Sequence, residues 1–124
     1  MKAILHSENE LEFRDFDEPD LQVDTRDPEA HFSALQMFAT SMAVCTFSVL
    51  AAYSEQVEAS TEDLVIRLSW DYAEGPFRIG AIDMGISWPQ LPENRLKAAQ
   101  RAAAQCTLHN TLEHPPQVTT EVSR

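Results

Sequence analysis

The sequence predicts an α+β fold in which a mainly antiparallel sheet packs on one long central helix, and three observations carry that expectation. Two segments, Leu64–Tyr72 and Phe77–Trp88, alternate apolar and polar residues with a period of two on either side of the turn AEGP. That is the pattern of an antiparallel hairpin with one buried face. Before them runs FSALQMFATSMAVCTFSVLAAYS, an uncharged stretch over Phe32–Ser54 with the length of a core helix. After them comes the alanine-rich ENRLKAAQRAAAQC, a composition that favours a second helix. Strands and helices grouped in this way, without strict alternation, point to α+β architecture.

Taken in chain order, Lys2–His6 and Glu10–Phe16 read as two short strands around the polar turn SEN, with Leu11 and Phe13 alternating against acidic neighbours. The Asp- and Pro-rich DEPDLQVDTRDPEAH suits a loop with a short edge strand at Leu21–Val23. The long helix has two candidate starts, Asp27 followed by Pro28, or Ser33 followed by Ala34, and it ends near Val57, where EASTED turns polar. In the later hairpin Leu64, Ile66, Leu68, Trp70 and Tyr72 form one greasy face, matched by Ile82, Met84, Ile86 and Trp88. Pro89 and Pro92 stop the sheet and open the helix through Cys106, whose Leu96, Ala99 and Ala103 make a core stripe. A turn at Thr107–Leu112 and a closing strand at Gln117–Val122 complete one expected domain over residues 1–124.

A chain of 124 residues can bury a core without staples. Its net charge of -11, with nine basic residues among twenty acidic ones, repels a phosphate backbone, so no nucleic-acid partner is expected. The opening residues MKAILHSENELEF lack a basic segment followed by an apolar run and a cleavage site, which makes the cytoplasm the expected compartment. The uncharged run is long enough to span a bilayer. It carries Gln36, Thr40, Ser41, Thr46 and Ser48, however, and has no Lys or Arg beside either end. The expectation is therefore no membrane span, but a helix buried on all sides by the sheet and a second copy of the chain. In the cytoplasm, two cysteines point to free, catalytic or incidental thiols and away from a standing disulfide.

A thiol attacks only as thiolate, which needs a nearby cation, hydrogen-bond donor or helix start. Mid-helix, Cys45 has the placement of a small buried hydrophobe, whereas Cys106, at a helix end beside a loop, is placed as the more exposed, resolving thiol. Cys106, His109 and His114 carry zinc-binding atoms, but a closed site needs four ligands, and His6, His31 and Cys45 are scattered. No metal and no cofactor is expected. The acidic clusters SENELEFRDFDEPD and STED read as solvated surface. Three glycines, at 75, 80 and 85, build no phosphate loop, and neither G-x-S-x-G nor H-E-x-x-H occurs.

The run SALQMFATSMAVCTFSVLAAYSE resembles the central helix of the OsmC/Ohr family, with its Leu in the opening turn, small residues, then Cys followed by Thr or Phe. LPENRLKAAQRAAAQCTLHNTLEHPPQVTTEV is similar to the end of the same family: a helix, Cys-Pro-Val-His-x-Thr-Leu and a last strand. The resemblance implies an intertwined α+β homodimer with the long helices at its centre. It also implies a thiol peroxidase of peroxiredoxin-like chemistry that reduces organic hydroperoxides, with Cys45 as peroxidatic and Cys106 as resolving thiol and a dithiol as reductant. An arginine of the N-terminal hairpin supports the thiolate in such members, and Arg14 is the candidate here, with Arg26 as a second. The chain departs from the pattern at Leu35, where peroxidatic members carry an acid, and at Thr107, where proline is usual. A second reading keeps the scaffold as a dimeric binding or stress protein with vestigial cysteines.

Overall fold

A computed structural model describes residues 1–124. The strands are β1 (Lys2–Ser7), β2 (Glu10–Arg14), β3 (Gln22–Thr25), β4 (Val65–Ala73) and β5 (Arg78–Ser87), and they form one sheet in the order β3-β1-β2-β4-β5. Every neighbouring pair is antiparallel except β1 and β3, so the sheet is mixed. Helix α1 (Ala34–Val57) packs against one face, and α2 (Leu96–Ala103) and α3 (Thr107–Glu113) pack on α1.

The register explains where the core lies. Leu5 sits opposite Leu11 and Ala3 opposite Phe13, and the next strand brings Leu68 and Ile66 beside them. Side chains alternate across a strand, so all six point to the α1 side. There they pack with Ala39, Met42, Ala43 and Leu50, whose spacing gives one face of the helix. Asn9 ties the β1–β2 turn to β4 by donating its side-chain amide to the Trp70 carbonyl at 2.8 Å and accepting the Trp70 N–H at its own carbonyl, 3.1 Å.

Of the two expected starts for the long helix, Ser33 is the one used. Its backbone N–H and its hydroxyl donate to Gln36 Oε1 at 2.9 and 3.0 Å, the reciprocal half of a capping box. The Gln36 amide then donates to the Glu8 carbonyl at 2.6 Å, which pins the helix start to the β1–β2 turn. The helix closes at Val57, where Glu58 takes the left-handed conformation, φ 54 and ψ 44. In the β4–β5 turn Gly75 has φ +74, which glycine adopts without steric cost.

Several expectations are corrected. The second strand stops at Arg14, because Asp15 turns the chain with φ 54, and Phe16 instead stacks on Phe47 with centroids 4.2 Å apart. The edge strand falls at Gln22–Thr25, displaced from Leu21–Val23. The alanine-rich helix ends at Ala103, short of Cys106, and Thr107–Glu113 is a further helix where a turn was expected. Cys106 is extended at ψ 137, and this break starts the new helix. Gln117–Val122 forms no strand: it pairs with nothing, and Val118 and Val122 stay exposed. Its β-branched composition expresses itself only where a neighbouring strand supplies a ladder.

Candidate functional site

The two cysteines meet where α1 faces the start of α3. Cys45 lies mid-helix on α1 and is half-buried, while Cys106 precedes α3 and is fully buried. Both are free thiols. This reverses the expected exposures, because breaking the last helical run at Ala104–Gln105 turns Cys106 into the interior and lays the first turn of α3 over Cys45.

The surroundings of the two sulfurs set different tendencies. Burial pushes the Cys45 thiol up, but hydrogen bonds from the Cys106 thiol and from the backbone amides of Leu108 and Thr107 outweigh it and hold Cys45 below the ordinary thiol range. For Cys106, burial and its proton-donating bond to Cys45 push the thiol up, against the amides of His109 and Leu108 and the Thr46 hydroxyl, and it stays above the ordinary range. Cys45 is thus the more acidic and the more accessible of the two sulfurs. The other is disposed to be a shielded thiol that gives it a hydrogen bond. A more acidic, accessible thiol beside a less acidic, shielded one suits nucleophilic attack followed by disulfide closure.

No arginine belongs to this set. Phe13 points into the core, so its neighbour Arg14 projects from the opposite side of the sheet, where its guanidinium pairs with the Glu12 carboxylate. Within this chain Arg14 therefore does not reach Cys45, whose hydrogen bonds come from Cys106 and the backbone amides of Leu108 and Thr107. Arg26 is exposed on the surface. Leu35 packs against the core, and its neighbour Gln36 is committed to the helix start.

The histidines do not join the thiols. His109 pairs with Glu113 at 3.0 Å, and His114 Nδ1 bonds the Asn110 carbonyl at 3.2 Å. No group of three or more His, Cys, Asp or Glu side chains converges in a way that could hold a metal ion. An apolar groove of about 660 Å³ runs alongside the thiol pair, between the α1 side of β5 and the short helices, lined by Met42, Met84, Trp88, Leu96, Ala103 and Leu112 among others. Neither cysteine lines it.

Sequence reasoning missed two features. Glu12, placed among solvated acids, is 3% exposed and receives Arg67 at 2.6 Å as well as Arg14, with His6 at 3.4 Å. Strand alternation was the available signal, since Glu12 shares a face with Arg14 and lies directly across from Arg67. The other is Gln36, which the Ser-x-x-Gln spacing announces as a capping box.

The family model described as OsmC-like protein matches residues 26–121. The match takes in both cysteines and all three helices and begins beyond Arg14. No curated protein and no solved structure matches the chain.

Proposed function

The chain belongs to the OsmC-like family, which suggests a peroxide-related stress function, and from that premise we propose that it is a thiol peroxidase in which Cys45 attacks and Cys106 resolves. The observation that carries this reading is the asymmetry of the pair, an accessible sulfur held toward thiolate by donors and a buried thiol in contact with it. The Cys45 thiolate attacks the outer oxygen of an organic hydroperoxide, the O–O bond breaks, and the departing alkoxide takes a proton to leave as alcohol. Cys45 is then a sulfenic acid. Cys106 attacks its sulfur, water leaves, and a disulfide joins the two, which an external dithiol reduces by exchange. No metal or cofactor takes part in these steps.

The test is stoichiometric. One equivalent of t-butyl hydroperoxide is expected to remove two thiols and form a Cys45–Cys106 bridge within one chain, reversed by dithiothreitol, and faster than the same bridge forms in air. If both thiols stay titratable after minutes in excess hydroperoxide, the scaffold-only reading takes its place.

The same premise supports a homodimer. Only 39% of the most apolar stretch of α1 is buried inside the chain, and Met37 and Val44 stand exposed on a face without a charge. The groove beside β5, the free edge of β5 itself and the exposed, unpaired Gln117–Val122 are further surfaces that a second copy would satisfy. Light scattering at micromolar concentration is expected to give twice the mass of one chain; a folded monomer there would overturn the dimer.

A further inference from the structure

Of the aliphatic hydroxyls on α1, all but one follow a single habit. Thr40, Ser41, Ser48 and Ser54 each donate to a backbone carbonyl of the preceding turn, at 2.7, 3.0, 2.9 and 2.5 Å. That back-bond is the ordinary outlet for a hydroxyl inside a helix. Thr46 makes no such bond, although it is the most deeply buried of the group at 1% exposure. A hydroxyl taken out of water has to find a partner or bear the cost of desolvation. Its oxygen is not among the buried side-chain atoms left without a partner, and the group it faces is the thiol of Cys106, itself fully buried.

We propose that Thr46 is a positioning residue for the resolving step: its hydroxyl donates to Cys106 Sγ and steadies that sulfur as a thiolate while it attacks Cys45. The inference rests on the peroxidatic and resolving roles proposed above, and it concerns the second step alone. In that step the Cys106 S–H bond breaks, its electron pair forms the bond to Cys45 Sγ, and the S–O bond of the sulfenic acid breaks. The hydroxide that leaves takes up the proton as water. Cys106 has no solvent to stabilise its negative charge, so the donors around it decide how often the thiolate forms. Those donors are the amides of Leu108 and His109, which no substitution of side chain removes, and the Thr46 hydroxyl, which one substitution does. The neighbours divide the work: Cys45 carries the attacking sulfur to the accessible side of α1, and the next residue reaches the partner sulfur from the buried side.

The test measures closure of the disulfide against modification of Cys45 in the same sample. Closure is started in one arm by t-butyl hydroperoxide and in a second by diamide, which adds to an accessible thiolate whether or not the protein is a peroxidase and is displaced by the second thiol. With Thr46→Val, nearly the same shape without a donor, closure is expected to slow about tenfold relative to the modification of Cys45, with its pH midpoint moved upward. Thr46→Ser is expected to restore most of the rate and the midpoint, which a purely packing role would not. Thr46→Ala gives the same comparison if the valine variant does not fold, and Ser48→Ala, which removes a back-bonded hydroxyl, serves as control. Closure in Thr46→Val or Thr46→Ala within twofold of wild type in the diamide arm, at an unchanged pH midpoint, overturns the inference. If hydroperoxide leaves Cys45 untouched while diamide reveals the slowing, the peroxidase reading fails and the role of Thr46 stands.

Discussion

Two polar clusters lie on opposite sides of the sheet, and they are stabilised in different ways. On the α1 side, Cys45 and Cys106 are held by backbone amides, one hydroxyl and each other, without a formal charge nearby. On the far side, the Glu12 carboxylate is gripped by Arg14 and Arg67, with His6 beside it. The charged cluster has its acceptor satisfied by charge-assisted hydrogen bonds, which gives it stiffness and nothing to react with. The thiol cluster has weaker, neutral donors, which leave its sulfurs free to exchange partners. On the proposed peroxidase reading, placing the arginines with a carboxylate and the thiols with amides separates stability from chemistry.

The sharpest way to break that separation is to remove the centre of each cluster. Cys45→Ser is expected to lower hydroperoxide consumption by about a thousandfold or more, the scale for losing a nucleophile, with the melting temperature little changed. Glu12→Ala is expected to do the reverse. It leaves two arginines without their shared acceptor, and because both are about half exposed, at 44% and 57%, water replaces part of the loss. The cost should be about 2 kcal/mol, or roughly 5–10 °C in melting temperature by differential scanning calorimetry. A Glu12 variant that lost hydroperoxide consumption while still folded would show that the two clusters are coupled.

Acid sharpens the same contrast. Although burial pushes the Glu12 carboxyl up, the charge and hydrogen bond of Arg14, the bond to His6 and the charge of Arg67 bring it below its ordinary value of 4.5. With the folded value below the unfolded one, the unfolded chain binds more protons as pH falls, so the contribution of Glu12 is complete above the unfolded value and is lost as pH drops through the folded value. Denaturant titrations between pH 7 and pH 3 should show wild type losing stability below about pH 4.5, with that component missing in Glu12→Gln.

How much of this was legible depends on what each feature needs. The β4–β5 hairpin and the long helix were readable because their period-two and uncharged patterns are local and long. The contact of Cys45 with Cys106 was reached only through resemblance to a family, since nothing in the spacing of two residues far apart in sequence states that α3 will fold back on α1. Their exposures were misjudged because a helix break at Ala104–Gln105 has no proline or glycine to mark it. Glu12 was lost in an acidic stretch whose average looks solvated, although the strand that carries it alternates faces. Gln117–Val122 shows the limit from the other direction, a strand-like composition with no strand for it to join in this chain.

The thiol cluster can also be probed through its donors. Cys106→Ala removes the thiol that donates to Cys45, so the pH midpoint for alkylation of Cys45 by iodoacetamide should rise toward that of an ordinary thiol. The change is expected to be smaller than the loss in Cys45→Ser, because the amides of Thr107 and Leu108 remain. An unchanged midpoint would mean that the amides alone set the reactivity of Cys45.

The smallest expected effect concerns Arg14, where the far-side cluster and the expected thiolate support make opposite forecasts. If Arg14 served Cys45, neutralising it would raise the thiol's pKa and slow alkylation at pH 7 by about tenfold or more, the scale of a lost charged partner. Its guanidinium is paired with Glu12 on the other side of the sheet, and Leu35 offers no acid on α1 that could draw it across. Arg14→Gln should therefore leave alkylation of Cys45 within about twofold of wild type. Its melting temperature should fall by less than in Glu12→Ala, since Arg67 and His6 still hold the carboxylate. Adding Leu35→Glu should not speed alkylation either, for on α1 it stands about 15 Å of helix away from Cys45 and does not bring the arginine. If alkylation slowed tenfold in Arg14→Gln while the fold stayed intact, the arginine would have to reach the thiol from a second copy of the chain, and mixing Arg14→Gln with Cys45→Ser subunits would then restore the rate.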